Sequence, residues 1–586
     1  MRQWMVAAKK ADFYAIAEKF HVDPVVARII RNREVIGEKN IRIYLGGNLS
    51  DLSDPHQMKD MDRLVEILAQ KIRKQVHIRI IGDYDVDGVT SSHLFLTALR
   101  RVGAKVDVVI PHRIQDGYGL SLHLLQQAKE DGVDTILTCD NGIAAIDEIA
   151  WAKAQKMTVL VTDHHAVPFE EHEGRRTEKK SLADAVVNLH QQDCGYPYKE
   201  LCGAGVAWNV IRVLYENYDM DKREAEDLLD FVAMATVCDV MSLTGENRIL
   251  VKEGLKRIRH TKNIGLQALM QACNVQPENI SAYHFGYVLG PCVNATGRLD
   301  TARHALQLFE TGQETEAEEI ARDLVDLNQE RKELTLQGVE MAKKLCEEGG
   351  YENDPVLVLF LPDVHESIAG LIAGRIREMY NRPVFVLTRG EEGVKGSGRS
   401  TENYSMYENM CGCAELFTKF GGHPMAAGLS LPEENVEKFR RKINENCPLT
   451  VEEVCPDIHI DMAMPVGYAS TELVHQFALL EPFGKDNPSP LFADRNLSIS
   501  RMWVIGKNRN VLRMSVLSEY GQPVPVIFFG DVETLFAYFT EKFGQEEVEN
   551  ALHGRKNRIL FSMVYTAKID FYQGNENLQL EMKYYR

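Results

Sequence analysis

From residue 77 onward the chain alternates short apolar runs with amphipathic stretches, a pattern that predicts strands and helices in turn. The apolar runs 77–81, 106–110, 135–139, 158–161 and 185–187 read as buried strands, while 91–101 and 143–155 repeat apolar positions at helical spacing. The economical arrangement is an α/β lobe built on a largely parallel sheet with right-handed crossovers. Residues 301–349 are charged and helix-favouring, with Ile320, Leu324 and Leu327 at helical spacing and Gly349-Gly350 at the end, which predicts one long helix joining two lobes. A second α/β pattern opens with a strand at 356–361 and closes near Asn446, carrying Gly-rich stretches at 393–398 and 421–428. Beyond Pro456 the runs 497–504, 511–516, 524–529 and 559–565 are short and β-like, as in a small barrel. The predicted organisation is an N-terminal helical segment (1–45), a first α/β lobe (46–300), a linking helix (301–350), a second α/β lobe (351–447) and a C-terminal β-barrel (448–586).

Composition narrows the function classes. The chain of 586 residues carries 67 Lys+Arg against 85 Asp+Glu, a net charge of −18, which excludes a surface that is basic all over. Nucleic acid, if bound, meets local patches. One such patch is residues 495–518, where Arg495, Arg501, Lys507, Arg509 and Arg513 occur with Trp503 and without any acid. A basic strand pair bearing an aromatic suits a barrel face that tracks a single-stranded backbone and stacks a base; the alternative is a solvated face with Trp503 in the core. The 11 cysteines are scattered, with only Cys411 and Cys413 close together, so they read as reduced, packed thiols. Lys9, Lys10 and Asp12 stand where a signal peptide needs its apolar core, and no apolar run is long enough to span a bilayer, so the expected location is the cytoplasm.

The candidate chemistry lies at strand ends. Ile81-Gly82-Asp83-Tyr84-Asp85-Val86-Asp87-Gly88 follows an apolar strand and precedes a helix. If the backbone stays extended, alternation throws Asp83, Asp85 and Asp87 to one side, and three neighbouring carboxylates repel unless a cation joins them. The sequence also fits the opening of an EF-hand loop, but position 12 is then Leu94 in place of a bidentate Glu, and a strand precedes it. Cys139-Asp140-Asn141-Gly142 and Thr162-Asp163-His164-His165 occupy the same place on two further strands, where α/β sheets gather ligands, and Asp239 ends an apolar helical run. Each Asp taken alone is more often a turn former or helix cap than a ligand. Together they form an oxygen-rich set with imidazole that suits Mn²⁺ or Mg²⁺ better than zinc, with room for two ions, and phosphoester hydrolysis is the matching chemistry. The glycines at 396–399 and 421–428 read as anion-binding loops beside Arg399, or as ordinary turns and close packing.

The DYDVDG, CDNG and TDHH blocks, in this order, resemble the DHH phosphoesterase superfamily. Further matches are Pro111-His112-Arg113 with Asp116-Gly117-Tyr118-Gly119-Leu120, the GPCVNATGRL segment from Gly290 to Leu299, His365-Glu366-Ser367, Gly396-Ser397-Gly398-Arg399-Ser400, the GGHPMAAG segment from Gly421 to Gly428, and Glu481-Pro482-Phe483-Gly484. The set resembles the superfamily's bacterial single-stranded-DNA-specific exonucleases, from about residue 50 to at least residue 490. It departs from their pattern at Cys292, Thr296 and Lys485-Asp486-Asn487. The resemblance implies a 5′-to-3′ exonuclease of DNA repair and recombination that releases mononucleotides, with a DHH domain, a linking helix, a DHH-associated domain and an OB-fold. It implies Asp83, Asp85, Asp87, Asp140, His164 and Asp239 as ligands of two ions, Mn²⁺ or Mg²⁺, with Asp140 bridging and His165 at the scissile phosphate. It assigns Arg113, Arg298, Ser397 and Arg399 to the strand's phosphates and His423 to a loop closing over the site; Arg501, Trp503 and Arg509 would serve the barrel. Its implied partners are single-stranded DNA, a single-strand-binding protein and a helicase, with no membrane. Two alternatives stand beside it: a superfamily phosphodiesterase for short oligonucleotides or small nucleotides, which would not need the extra barrel, and a non-catalytic DNA-binding scaffold, which would not need the ligands.

Overall fold

The computed structural model describes residues 3–586 except 114, 115, 117, 118, 173, 174, 300, 352, 391, 392, 455, 456, 507–509 and 573. Two compact units emerge: Leu52–Met241 with Ile249–Pro456, and Gln3–Asp51 with Ser242–Arg248 and Asp457–Arg586. No helix among the described residues is long and apolar enough to cross a membrane.

The first unit opens on a five-stranded parallel sheet, ordered Val106–Val109, Ile78–Ile81, Thr135–Cys139, Thr158–Asp163 and Ala185–Asn188. Its central strands are mostly apolar because helices cover both faces, and Ile78–Ile81 is buried at every residue, Arg79 included, whose guanidinium is bonded to Asp107 and Asp131. From Ile78–Ile81 the chain crosses to a neighbour on one side and then to Thr135–Cys139 on the other. The carboxyl ends of these two strands therefore flank a topological switch point. The helix after the first strand spans Val86–Arg101 and begins five residues earlier than the apolar spacing predicts, because Asp85 caps it by accepting from Gly88 N at 3.0 Å. A hairpin, Phe169–His172 with Arg175–Glu178, was not visible in the pattern.

The single linking helix predicted over 301–350 is two helices, Arg303–Glu310 and the 35-residue Glu314–Glu348. Thr311-Gly312-Gln313 breaks the run: the Thr311 hydroxyl bonds Glu316, and Gly312 favours the non-helical backbone. The long helix leads to the second sheet, where Leu357–Phe360 runs parallel to Val384–Gly390 and the remaining strands, Gly393–Arg399, Ala426–Leu431 and Lys419–His423, follow antiparallel. The glycine-rich segments are thus strands, not loops. In the first of them the glycines answer to packing: a Cβ on Gly398 would sit 2.4 Å from Met406 Sδ, and one on Gly396 2.4 Å from Leu387 Cδ2.

In the second unit, Phe492–Ile505 pairs with Val511–Leu517 on one edge and with Leu560–Tyr572 on the other. Bulges after Asp494 and Ile499 let this one long strand bend between two partners. Pro523–Phe529 and Asn575–Tyr585 complete the closed barrel. The final strand escaped the sequence pattern because it is polar, with only three consecutive residues buried. The N-terminal helices Phe13–Phe20, Pro24–Asn32 and Glu38–Gly46 are part of this unit: Val26, Ile29 and Ile41 share one core with Phe492, Leu512 and Leu580. A buried ion pair ties them in. Arg33 donates to both oxygens of Asp461, at 2.7 and 3.1 Å, with the side chains only 9% and 7% exposed. Asp461→Ala leaves a buried guanidinium without its counter-charge and is expected to cost this unit about 3–5 kcal/mol, read from its transition in urea unfolding of the full chain.

Candidate active site

At the switch point the backbone does not stay extended. It turns at Asp85, which leaves Asp83 at the strand end, Asp85 as helix cap and Asp87 inside the first helical turn. The three carboxylates accordingly face two places instead of one, which corrects the alternation reading. Asp83 and Asp85 converge with Asp140, while Asp87 converges with His164 and Asp239; within each group the oxygen and nitrogen atoms lie within 4.8 Å of one another. Asp140 and His164 also group with His165, so Asp140 belongs to two of these clusters.

Each side chain is held by backbone far away in sequence. Asp87 accepts from Gly203 N at 2.6 Å and Ala204 N at 2.8 Å, the first amides of the Gly203–Asn217 helix. Gly203 itself packs so tightly that a Cβ would stand 2.6 Å from Asp140 Cβ. Asp140 adopts a left-handed φ of 60°, tolerable for Asp, just past the Thr135–Cys139 strand. Next to it, the Asn141 amide donates to Ile81 O at 3.0 Å and Cys139 O at 2.9 Å, tying together the two strand ends. Asn294 Oδ1 accepts from Val86 N at 3.1 Å, steadying the start of the carboxylate-bearing helix. Asp163 accepts from Ile143 N, His164 N and His165 N at 2.9, 2.7 and 3.1 Å and from His165 Nδ1 at 2.8 Å.

Three carboxylates surround one imidazole nitrogen: His164 Nε2 lies 3.1 Å from Asp140, 3.6 Å from Asp239 and 3.7 Å from Asp87. Burial lowers His164, keeping that ring neutral with a lone pair to give. Burial first, then Asp85, raises Asp83 well above the usual carboxylate range; burial followed by Asp87, Asp85 and Asp239 does the same to Asp140. Burial opposes a charge on His165, but the hydrogen bond and charge of Asp163 outweigh it and lift the ring to about 9. A set of buried carboxylates that cannot all ionise together, with Asp83 Oδ1 making no hydrogen bond, is the environment a divalent cation relieves. Many oxygens and a neutral imidazole fit Mn²⁺ or Mg²⁺.

Beside the carboxylates a cleft of about 570 Å³ is lined by Tyr84, Arg113, Arg298, Ser397 and Arg399, among others. Arg298 donates to Ser367 O at 2.7 Å, and Arg399 donates to Ser397 Oγ at 3.2 Å and Gly398 O at 2.8 Å. Arg113 stacks 5.0 Å from the Tyr84 ring. Burial, then Arg113, lowers both Arg298, to about 10, and Arg399. These guanidiniums are short of negative charge, which is what a phosphate supplies. Gly370 makes room: a Cβ there would lie 2.7 Å from Ser397 Oγ.

The structure brings together Asp83, Asp85, Asp87, Asp140, His164, His165 and Asp239, and separately Arg113, Arg298, Ser397 and Arg399. It does not bring His423 to the cleft lining; that residue ends the Lys419–His423 strand and is exposed, whereas Lys419, Phe420 and Gly421 of the same strand do line the cleft. In the barrel unit Trp503 is 37% exposed and Arg501 stands 5.7 Å over its ring, while Met502 between them is fully buried, so the core reading of Trp503 fails. Arg513 lies opposite Trp503 on the neighbouring strand. Lys507, Arg509, Gly117 and Tyr118 lie outside the described residues. Sequence reasoning assigned no role to Asp163, Gly203 or Asn294. For Gly203 a signal existed: Cys202-Gly203-Ala204-Gly205 opens an apolar helical run, the composition of a helix start seated against other backbone.

Residues 77–236 match the DHH family, N-terminal domain, residues 353–447 the DHHA1 domain, and residues 460–584 the RecJ OB domain. The chain is 32% identical over 582 residues to the single-stranded-DNA-specific exonuclease RecJ of Haemophilus influenzae, covering 96% of each protein. It is 32% identical over 512 residues to the RecJ of Bacillus subtilis, where the match covers 87% of this chain and 63% of that one. Among solved structures, Thermus thermophilus RecJ in complex with Mn²⁺ has the same fold, with a TM-score of 0.79 at 24% identity over 100% of this chain and 79% of that one. A second, exonuclease RecJ bound to manganese, is 31% identical with a TM-score of 0.57 over 66% of this chain and 94% of its own. With three domain matches in one order and this identity over nearly the whole length of a relative, the chain belongs to the RecJ family.

Proposed function

We propose that the protein is a single-stranded-DNA-specific exonuclease of DNA repair and recombination, digesting from the 5′ end and releasing mononucleotides with the help of two divalent ions, Mn²⁺ or Mg²⁺. The observation that carries this reading is the convergence of buried carboxylates and a neutral imidazole at the switch point, next to a cleft of guanidiniums. Its relatives named above are single-stranded-DNA-specific exonucleases, and two similar structures contain Mn²⁺. Asp83, Asp85, Asp87, Asp140, His164 and Asp239 would hold the ions, with Asp140 shared between them. When bound, the ions would supply an activated water and would neutralise the charge that develops on the phosphoryl and leaving oxygens.

The chain's own groups do the rest. Arg113, Arg298, Ser397 and Arg399 hold the strand's phosphates and so fix the position of the linkage to be cut. Asp163 keeps His165 charged and oriented, and that imidazolium offsets charge on the phosphate in the transition state. On the barrel, Arg501 takes a backbone phosphate and Trp503 stacks a base. The site works in the cytoplasm, and a single-strand-binding protein and a helicase are the fitting partners, since both deliver unpaired strands.

The test is a long single strand labelled separately at each end and incubated with Mn²⁺. Mononucleotides from the 5′ end, lost in chelator and regained with added Mn²⁺ or Mg²⁺, are the expected result; digestion in chelator, or a preference for a dinucleotide over the long strand, overturns the reading. Arg501→Ala is expected to weaken long-strand binding and to flatten its dependence on log[salt] by about one unit, leaving cleavage of very short strands nearly intact. Binding titrations at several salt concentrations measure this.

A further inference from the structure

Outside the carboxylate site, two cysteines from separate helices meet. Cys273 closes the Ile264–Ala272 helix, and Cys292 lies in the Gly290–Leu299 helix; their sulfurs are 3.8 Å apart. Cys292 is buried, whereas Cys273 is partly exposed. At Cys292 the contact with Cys273 favours a thiolate and burial opposes it; Asn328 Nδ2, which donates to its sulfur at 3.3 Å, and Lys332 and Arg331 on the long helix add to the first, while the protonated thiol donates to Val288 O at 3.3 Å. Two residues beyond Cys292, Asn294 holds Val86 N at the start of the helix that carries Asp87, and six beyond it Arg298 reaches the cleft.

We propose that Cys273 and Cys292 form a reversible intramolecular disulfide on reaction with hydrogen peroxide, a modification site that couples to the catalytic cleft through the Gly290–Leu299 helix. In the first step the Cys292 thiolate attacks one peroxide oxygen; the O–O bond breaks, leaving a sulfenic acid and hydroxide, which takes up the proton the thiol had lost and becomes water. In the second, the Cys273 sulfur attacks the sulfenic sulfur; the S–S bond forms, the S–O bond breaks, and the departing hydroxide takes the Cys273 thiol proton as a second water. Two thiols are oxidised and one peroxide is reduced to two waters. Bonding requires the sulfurs to close from 3.8 Å to about 2.05 Å, which draws the Cys292 helix toward Cys273 and loosens the Asn294 contact to Val86. The partly exposed Cys273 sulfur is where a small thiol reductant reverses the bond.

The test treats the full-length protein with peroxide, blocks free thiols by alkylation and maps peptides by mass spectrometry, with exposed Cys411 as internal control. The expected result is a Cys273–Cys292 peptide pair lighter by two hydrogens, absent in Cys273→Ser and abolished by dithiothreitol. Exonuclease turnover is expected to fall about fivefold on oxidation, the weight of one lost backbone hydrogen bond, and Cys273→Ser is expected to keep its turnover under the same treatment. If Cys411 is oxidised while Cys273 and Cys292 are both alkylated, the site is refuted. If the disulfide forms and turnover does not change, the coupling to the cleft is refuted. The turnover measurement rests on the nuclease activity proposed above and the peptide map does not, so the two failures are distinguishable.

Discussion

Asp140→Ala is expected to lower exonuclease turnover at least about a thousandfold, while single-stranded DNA still binds. Asp140 is the carboxylate common to two ligand groups, one with Asp83 and Asp85 and one with His164 and His165, so its loss strips both positions at once. The cleft guanidiniums proposed to hold the strand's phosphates are untouched, which is why binding should survive. Stability follows two opposed effects. Burial and the neighbouring Asp87, Asp85 and Asp239 make the Asp140 carboxylate unwelcome without a cation, while Ala at the left-handed φ of 60° is strained by about 1 kcal/mol, so the variant is expected to melt close to the wild type in chelator, and to gain less from added Mn²⁺. Single-turnover kinetics, strand-binding anisotropy and thermal melts with and without Mn²⁺ measure the three parts. Turnover within tenfold of the wild type would remove Asp140 from the catalytic centre.

The elements that carry the site were legible where local pattern decides structure. Each of the five strands of the first sheet shows as an apolar run, because a parallel sheet covered on both faces demands it, and the acids and histidines stand immediately after three of them. What stayed hidden depends on contacts between distant residues. Asp87 meets Gly203 across 116 positions and Val86 meets Asn294 across 208, and no periodicity encodes either pairing. The extended reading of Asp83, Asp85 and Asp87 failed for a local reason that could have been weighed: an Asp followed three residues later by a free backbone amide is a helix cap, and Asp85 takes that role. The glycine-rich segments were read as loops because a small residue serves phosphate approach and tight sheet packing equally well, and both uses occur: Met406, Phe385 and Leu387 crowd Gly396 and Gly398, while Gly396, Gly421 and Gly428 line the cleft. Residues 1–45 read as a separate segment since the apolar positions of their helices point to a core supplied by strands more than four hundred residues later.

Gly88→Ala should show how finely the carboxylates are seated. Gly88 lies in the first turn of the Val86–Arg101 helix, and a Cβ there would stand 2.4 Å from both Asp83 N and Asp83 O, distances that side-chain motion cannot relieve because the opposing atoms are backbone. Either the Asp83 strand end moves or the helical turn opens. The first displaces Asp83 from Asp85 and Asp140; the second breaks the bond from Gly88 N to Asp85, and both disturb the same ligand group. A shift near 1 Å in such a group is expected to cost about a hundredfold in turnover, with about 1–3 kcal/mol of stability lost to overpacking. Gly374→Ala is the matched control: it lies in the Glu366–Tyr380 helix with nothing within 4 Å of the new methyl, so turnover should hold and stability should rise by up to about 1 kcal/mol. Kinetics and urea midpoints of the two variants, measured side by side, separate the loss of a glycine from the loss of this seat. Wild-type turnover in Gly88→Ala would mean that the Asp83 strand end is free to move without consequence, and that its close contact with the helix does not set the ligand geometry.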